Sequence, residues 1–133
     1  MYEFLPLIDR ALQPHRQMML QAERDLWAHP ETGYREWYAS GYLKERFEAL
    51  GYQPVMADNI PGFYADLETG RPGPTIAIFG EMDSLICANH PESNPEMVMC
   101  MPAGTMHSAQ LCWALPPLSA RPSFVRCSAA KCG

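Results

Sequence analysis

The stretch that decides the fold is GPTIAIFGEMDSL, residues 73–85. Its run 75–79 is almost entirely apolar, which is typical of a strand buried on both faces of a sheet. The run leads directly into Glu81 and Asp83, so two carboxylates follow the carboxyl end of a strand. In α/β sheets this end collects ligands and catalytic groups, because the loops there converge on one crevice. The segment therefore predicts an α/β domain with a candidate site at residues 81–83.

Two further strands are predicted before this segment. The runs YQPVMA (residues 52–57) and GFYADLET (residues 62–69) are short and contain β-branched or aromatic residues. Asn, Pro and Gly residues, which are typical of turns, separate the runs from each other and from the strand at 75–79. The middle of the chain is therefore predicted to hold three strands.

Helices are predicted before the strands. Residues 3–13 and 15–28 have helical spacing, and Pro14 between them breaks or kinks the helix. The loop HPETGY at 29–34 leads to a second helix, predicted over residues 35–50, and Gly51 stands where a left-handed C-terminal cap is expected. The positions predicted to face the core are Met18, Met19, Ala22 and Leu26, followed by Tyr42, Leu43, Phe47 and Leu50.

Length and charge limit the class of protein. A chain of 133 residues with a formal net charge of -5 suits one soluble domain and argues against a nucleic-acid or anionic-membrane surface. The N-terminus lacks the basic start and unbroken apolar stretch of a signal peptide, and no run is long enough to cross a membrane. The five cysteines then indicate reduced thiols, and we expect a cytoplasmic protein.

The composition changes abruptly after Glu96. All 15 Asp and Glu residues lie at or before that position, whereas residues 97–133 have none. Those last residues hold four of the five cysteines and four of the nine methionines, and they show no regular period beyond a short apolar run at 111–115. We therefore expect residues 1–96 to form a domain segment and residues 97–133 to be an irregular tail.

Glu81 and Asp83 are the candidate site residues. They lie two apart after a strand, so in extended geometry their side chains point to the same face. Such carboxylates can ligate a divalent metal or orient a metal-bound histidine. The alternative is a solvated turn, since acidic residues at strand ends are common. On this pair alone the solvated turn is favoured.

The surrounding sequence favours the metal interpretation. HPETGYREWYASGYLKERFEALGY (residues 29–52) and GPTIAIFGEMDSL (residues 73–85) resemble, in order and spacing, the amidohydrolase branch of the aminoacylase/carboxypeptidase metallopeptidase family. The resemblance covers residues 16–96. It implies that Asp83 belongs to the catalytic set and supports a metal-ligand histidine. It also places Glu81 where many relatives have a metal-binding histidine and this branch has an acidic residue.

The same resemblance implies a structural role for the loop before the second helix. His29, Pro30 and Glu31 match the family's helix-loop-helix motif, where they are expected to fix a loop and a helix start. The intact family implies a divalent metal, zinc or manganese, and small amide substrates: N-acyl or aminobenzoyl amino acids and small peptides. A homodimer is also expected of the intact family, with no nucleic-acid or membrane partner.

The resemblance ends at Glu96, before the family's histidine-alanine-cysteine-glycine-histidine segment and its paired glutamates. With compatible codons for MVMCMPAGTMHSAQLCWALPPLSAR (residues 97–121), restoring one lost base gives TGDVHACGHNAQCAALLGIAAALR, which contains the missing metal-ligand segment. A frameshift would also explain the loss of acidic residues and of periodicity. We therefore expect the chain as written to be inactive and to bind no metal stably, because a catalytic zinc site needs about three protein ligands.

The fold expected from all this is a truncated three-layer α/β domain, with N-terminal helices on a small mixed sheet and an irregular C-terminal tail. Its exposed sheet edge would favour aggregation, so poor solubility is expected. Two alternatives stay open: a non-catalytic α/β remnant that binds a partner, and a small zinc site in the tail. The spacing of the tail's ligands is unlike that of structural zinc sites. Those ligands would be Cys100, His107, Cys112, Cys127 and Cys132.

Overall fold

Three α-helices form the first part of the fold. The structure, a computed structural model, describes residues 5–68, 74–91, 93, 96, 99–100 and 125–129. Helix α1 (Leu5–Leu12) runs into a single 3₁₀ turn at Gln13–His15, and α2 (Arg16–Ala28) follows directly. Pro14 lies in that turn, because its ring and its missing N–H interrupt a regular helix. Helix α3 spans Trp37–Ala49, so the predicted helices and the break near Pro14 are confirmed.

Helix α3 ends in the cap that its sequence predicts. Gly51 has a φ of +89°, which glycine adopts without the steric cost that a Cβ would bring. The Gly51 N–H donates to the carbonyl of Glu48 at 2.9 Å, and the Tyr52 N–H donates to the carbonyl of Phe47 at 3.0 Å. These two bonds satisfy carbonyls that the last helical turn leaves open.

The strands form a four-stranded mixed sheet and a separate pair. They are β1 (Val55–Met56), β2 (Phe63–Leu67), β3 (Ile76–Phe79), β4 (Leu85–Ile86), β5 (Met99–Cys100) and β6 (Val125–Ala129). The order in the larger sheet is β1-β2-β6-β3, with β6 antiparallel to β2 and parallel to β3. Strands β4 and β5 pair antiparallel with each other. The three predicted strands and the small mixed sheet are therefore confirmed.

Two of the described strands lie in the part of the chain where an irregular tail is expected. Both β5 and β6 lie after Glu96, and β6 is inserted between β2 and β3. It pairs with β2 over its whole length, from Phe63 opposite Ala129 to Leu67 opposite Val125. A five-residue strand is too short for its period to stand out, and its pairing partners lie far away in the sequence. The apolar run at 111–115 lies outside the described residues.

The core lies between the helices and one face of the sheet. Along β2, Phe63 and Ala65 are buried, whereas Tyr64 and Asp66 are exposed on the opposite face. The residues that build this core are Ala22, Leu26, Ala39, Leu43, Phe47, Tyr52, Phe63, Ala65 and Met82. Met18, Met19, Tyr42 and Leu50 pack against it from partly buried positions. The helical faces predicted from the sequence therefore do contact the core.

Strand β3 differs from its prediction. Its sequence suggests a strand buried on both faces, yet Ile76 is 52% exposed and Phe79 is 50% exposed. Only Ile78 packs against the core. The reason is position: β3 is the last strand of the sheet, and in the described part of the chain the helices cover only one face of that sheet.

Candidate functional site

The loop between α2 and α3 fixes the start of α3 through one carboxylate. Oε1 of Glu31 accepts a hydrogen bond from the Tyr38 N–H at 3.0 Å, and Oε2 accepts one from the Ala39 N–H at 2.9 Å. Those N–H groups belong to the first helical turn, which has no partners of its own. Glu36, the residue at the N-cap position, makes no side-chain cap. Glu31, which lies five residues before the N-cap residue Glu36, therefore caps α3 in its place.

His29 and Pro30 fix the other side of this loop. Nδ1 of His29 lies 2.8 Å from the carbonyl oxygen of Asp25, and since a carbonyl can only accept, this contact requires a proton on Nδ1. The imidazole ring stacks on Tyr38 with centroids 4.1 Å apart. Pro30 is buried. Both polar residues of the motif thus contact the helices that flank them.

A polar cluster continues between α2 and α3. The Tyr42 hydroxyl donates to Oδ2 of Asp25 at 2.6 Å, and the Arg46 guanidinium lies 4.7 Å from the centre of the Tyr42 ring. The hydrogen bonds from Tyr42 and from Gln21 hold the pKa of Asp25 below its usual value. Partial burial, followed by the bond to Asp25, raises the pKa of Tyr42. The cluster joins the two helices beside the loop. Sequence spacing does not predict this link, because Asp25 and Tyr42 lie 17 residues apart.

The carboxylate pair follows β3 directly. Burial alternates along residues 81–84: Glu81 is exposed, Met82 is buried, Asp83 is half-buried and Ser84 is buried. The two carboxylate residues are therefore the more accessible residues of this segment.

The loop and the carboxylate segment meet. The Ser84 N–H donates to the main-chain carbonyl of Glu31 at 2.7 Å. One residue, Glu31, thus caps α3 with its side chain and holds the peptide next to Asp83 with its backbone. The two bonded residues, Glu31 and Ser84, are 53 positions apart in the chain, and each belongs to one of the two segments that carry the family resemblance.

The described residues do not by themselves form a metal centre. Nowhere among them do three or more His, Cys, Asp or Glu side chains come together in a group that could hold a metal ion. A catalytic zinc site needs about three protein ligands and an open position. Of the tail ligands considered for a zinc site, His107, Cys112 and Cys132 lie outside the described residues. No catalytic step through a metal follows from these residues alone.

Comparison with solved structures defines the fold. The chain matches a dinuclear metal-binding peptidase of the M20 family from Bacillus subtilis (TM-score 0.68, 20% identity, 88% of this chain and 35% of that one). It also matches a protein described as an aminohydrolase from methicillin-resistant Staphylococcus aureus (TM-score 0.70, 18% identity, 90% and 33%). A third match is an aminobenzoyl-glutamate utilization protein from Klebsiella pneumoniae (TM-score 0.59, 22% identity, 92% and 38%). The fold is that of a segment of these three proteins, the first of which is described as a member of the M20 family.

A sequence relative gives a more particular likeness. The chain is 33% identical over 87 residues to one of the polypeptides that make up the p-aminobenzoyl-glutamate hydrolase of Escherichia coli, and the match covers 64% of this chain and 18% of that polypeptide. It is also 32% identical over 69 residues to a protein of Rhodococcus jostii named as a glutamate–cysteine ligase, which covers 50% of this chain and 8% of that one. No protein-family profile matches the chain.

These matches confirm the resemblance predicted from residues 29–52 and 73–85. The chain spans about a third of each of the three solved structures and less than a fifth of the Escherichia coli hydrolase polypeptide. The described helices include none with the length and apolar character that crossing a membrane requires.

Proposed function

We propose that this chain carries the amino-terminal segment of a metal-dependent hydrolase of amide bonds, whose substrates are N-acyl or aminobenzoyl amino acids and small peptides. The observation that carries the proposal is the junction of two motif segments: the carboxylate-bearing segment after β3 is held to the 29–31 loop by the Ser84 to Glu31 hydrogen bond. The likeness to a p-aminobenzoyl-glutamate hydrolase supports the substrate class. We place the activity in the cytoplasm, where free thiols stay reduced.

The proposed roles of the site residues follow the family resemblance. Asp83 supports a metal-ligand histidine and Glu81 contributes a carboxylate at the metal, both from the carboxyl end of a strand. His29, Pro30 and Glu31 are proposed to be structural. This proposal is supported by the contacts of His29 with Asp25 and Tyr38, and by the cap that Glu31 provides.

The chain as written is proposed to be inactive. Residues 1–96 correspond to the hydrolase segment, and residues 97–133 correspond to the following part of the gene read in a shifted frame. The abrupt loss of acidic residues after Glu96 supports this division. In the complete enzyme a zinc or manganese pair would polarise the amide carbonyl and activate a water molecule.

The test compares two proteins, the 133-residue chain and a version with one base restored after the codon for Glu96. Zinc titration by calorimetry and hydrolysis of p-aminobenzoyl-glutamate are measured for both. We expect binding and turnover only after the frame is restored and the downstream sequence is translated. Stoichiometric zinc binding with amide hydrolysis by the 133-residue chain would show that it is active as written. A gene without the HACGH string one base away would refute the frameshift.

One observation favours the second candidate, a non-catalytic fragment that binds a partner. Among the described strands β3 is an edge strand, and it has exposed apolar side chains on both faces. A fragment with that surface can associate with another polypeptide whether or not it has activity.

A further inference from the structure

We propose that the open edge of β3 pairs antiparallel with β3 of a second copy of this chain, so that two four-stranded sheets become one continuous sheet. The interface consists of residues 75–79, and Ala77 lies at its two-fold axis. The proposal concerns association of the 133-residue chain and does not depend on its having hydrolase activity.

Strand β3 lies at an edge of the larger sheet. Among the described strands, the order β1-β2-β6-β3 leaves β1 and β3 at the two edges. Strand β1 has two residues and β3 has four, with β6 on one side only. The backbone N–H and C=O groups on the open side of an edge strand can be satisfied by a strand from another chain. Strand β3, the longer of the two edge strands, offers more of these backbone groups.

The residues of β3 are of types that do not block pairing with another strand. Natural edge strands carry charges, prolines or bulges that block pairing. Residues 76–79 are Ile, Ala, Ile and Phe, with none of these devices. Ile76 is exposed on the helix-covered face, and Ala77 and Phe79 are exposed on the other. A paired strand would therefore bury apolar surface on both faces.

A second copy of this chain fits this edge. A two-fold axis normal to the sheet keeps every side chain on its own face, so Ala77 can lie opposite Ala77 and Ile76 opposite Ile78 of the other copy. The same register places Thr75 opposite Phe79, so no charged residues face each other across the two strands. In the sequence, the charge before the strand is basic, at position 71, and the charge after it is acidic, at position 81. Antiparallel pairing therefore brings sequence flanks of opposite charge together, whereas parallel pairing would align flanks of like charge.

The experiment measures the mass of the full 133-residue chain by sedimentation velocity over a wide range of protein concentration. We expect a monomer–dimer equilibrium. Ala77→Lys places two ammonium groups opposite each other at the axis and should weaken the dimer at least about tenfold. Because Ala77 is exposed, the lysine has room in the monomer, and circular dichroism verifies that the variant is folded.

The matched control is Val55→Lys, the same kind of change at the exposed β1 edge. It should leave the dimer intact. Ala77→Cys should form an intermolecular disulfide that mass spectrometry maps to position 77 in both copies, whereas Thr75→Cys should not. A wild-type chain that stays monomeric at all concentrations would overturn the proposal. Equal weakening of association by Ala77→Lys and Val55→Lys would also overturn it. Assembly of both variants into species larger than a dimer would do the same.

Discussion

The carboxylate of Glu31 offers a sharp test of how the loop before α3 is held. Its two oxygens accept hydrogen bonds from the N–H groups of Tyr38 and Ala39 at 3.0 and 2.9 Å. Ala39 is buried, so water cannot easily replace the lost acceptor there. Losing a helix cap costs about 0.5–2 kcal/mol, and leaving a buried donor unsatisfied costs about 1–3 kcal/mol. We expect Glu31→Ala to lower the free energy of unfolding by about 2 kcal/mol.

Glu31→Gln should lower the free energy of unfolding less than Glu31→Ala does. Its amide keeps one oxygen for one N–H but turns an NH₂ group toward the other, so we expect a loss of about 1 kcal/mol. Urea unfolding followed by circular dichroism measures both values. The matched control is Glu48→Gln on the surface of the same helix, where the exposed pair with Lys44 contributes about 0.5 kcal/mol or less.

A second measurement tests whether Glu31 also holds the carboxylate segment. The Ser84 N–H donates to the Glu31 carbonyl, so its hydrogen exchange should become faster in Glu31→Ala than in Glu48→Gln. If Glu31→Ala and Glu48→Gln destabilise the chain equally, the cap does not act as its geometry indicates. If only the Ser84 exchange rate stays unchanged, the loop is held by other contacts.

Three further predictions concern single side chains. Ser40→Ala should cost about 2 kcal/mol in urea unfolding, because the buried Ser40 hydroxyl accepts the Gly62 N–H at 2.9 Å; an unchanged midpoint would contradict this. Ser84→Ala should be neutral or stabilising in the same assay, since within the described residues the Ser84 hydroxyl is buried without a partner; a loss above about 1 kcal/mol would reveal a partner. Because the pKa of Asp25 is lowered in the folded chain, its contribution is present above pH about 4 and is lost as the pH falls through the folded pKa. Tyr42→Phe removes the main cause of that shift, so unfolding measured between neutral and acidic pH should show a smaller loss of stability on acidification than in the unsubstituted chain.

Local features of the fold are predictable from the sequence. Helical spacing identifies α2 and α3, because their buried positions recur every three to four residues. Pro14 and Gly51 mark boundaries, because each restricts or permits one backbone conformation. The position of β3 is also predicted correctly, because its apolar run is bounded by turn residues.

Contacts between distant segments are not predictable in the same way. The pairing of β6 with β2 and β3, the bond from Tyr42 to Asp25 and the bond from Ser84 to Glu31 all join residues far apart in the sequence. A residue pattern indicates which face a side chain takes, but it does not specify what packs there. The candidate site is therefore predictable as two motif segments, and their junction through Glu31 becomes visible only in the structure.

Strand β3 shows where sequence and environment disagree. Its run of Ile, Ala, Ile and Phe suits a central strand covered on both sides, and in the structure it is an edge strand with Ile76 and Phe79 half exposed. The residue types of a strand normally match its environment. An apolar strand in an exposed position therefore indicates a surface that another segment or chain can cover. The fold relatives are about three times as long as the segment they share with this chain, so they have further chain that can supply such cover. A second copy pairing at Ala77 would cover the same edge by different means. If the restored downstream sequence pairs with this edge, it excludes a second copy there, and dimerisation through β3 should then decrease.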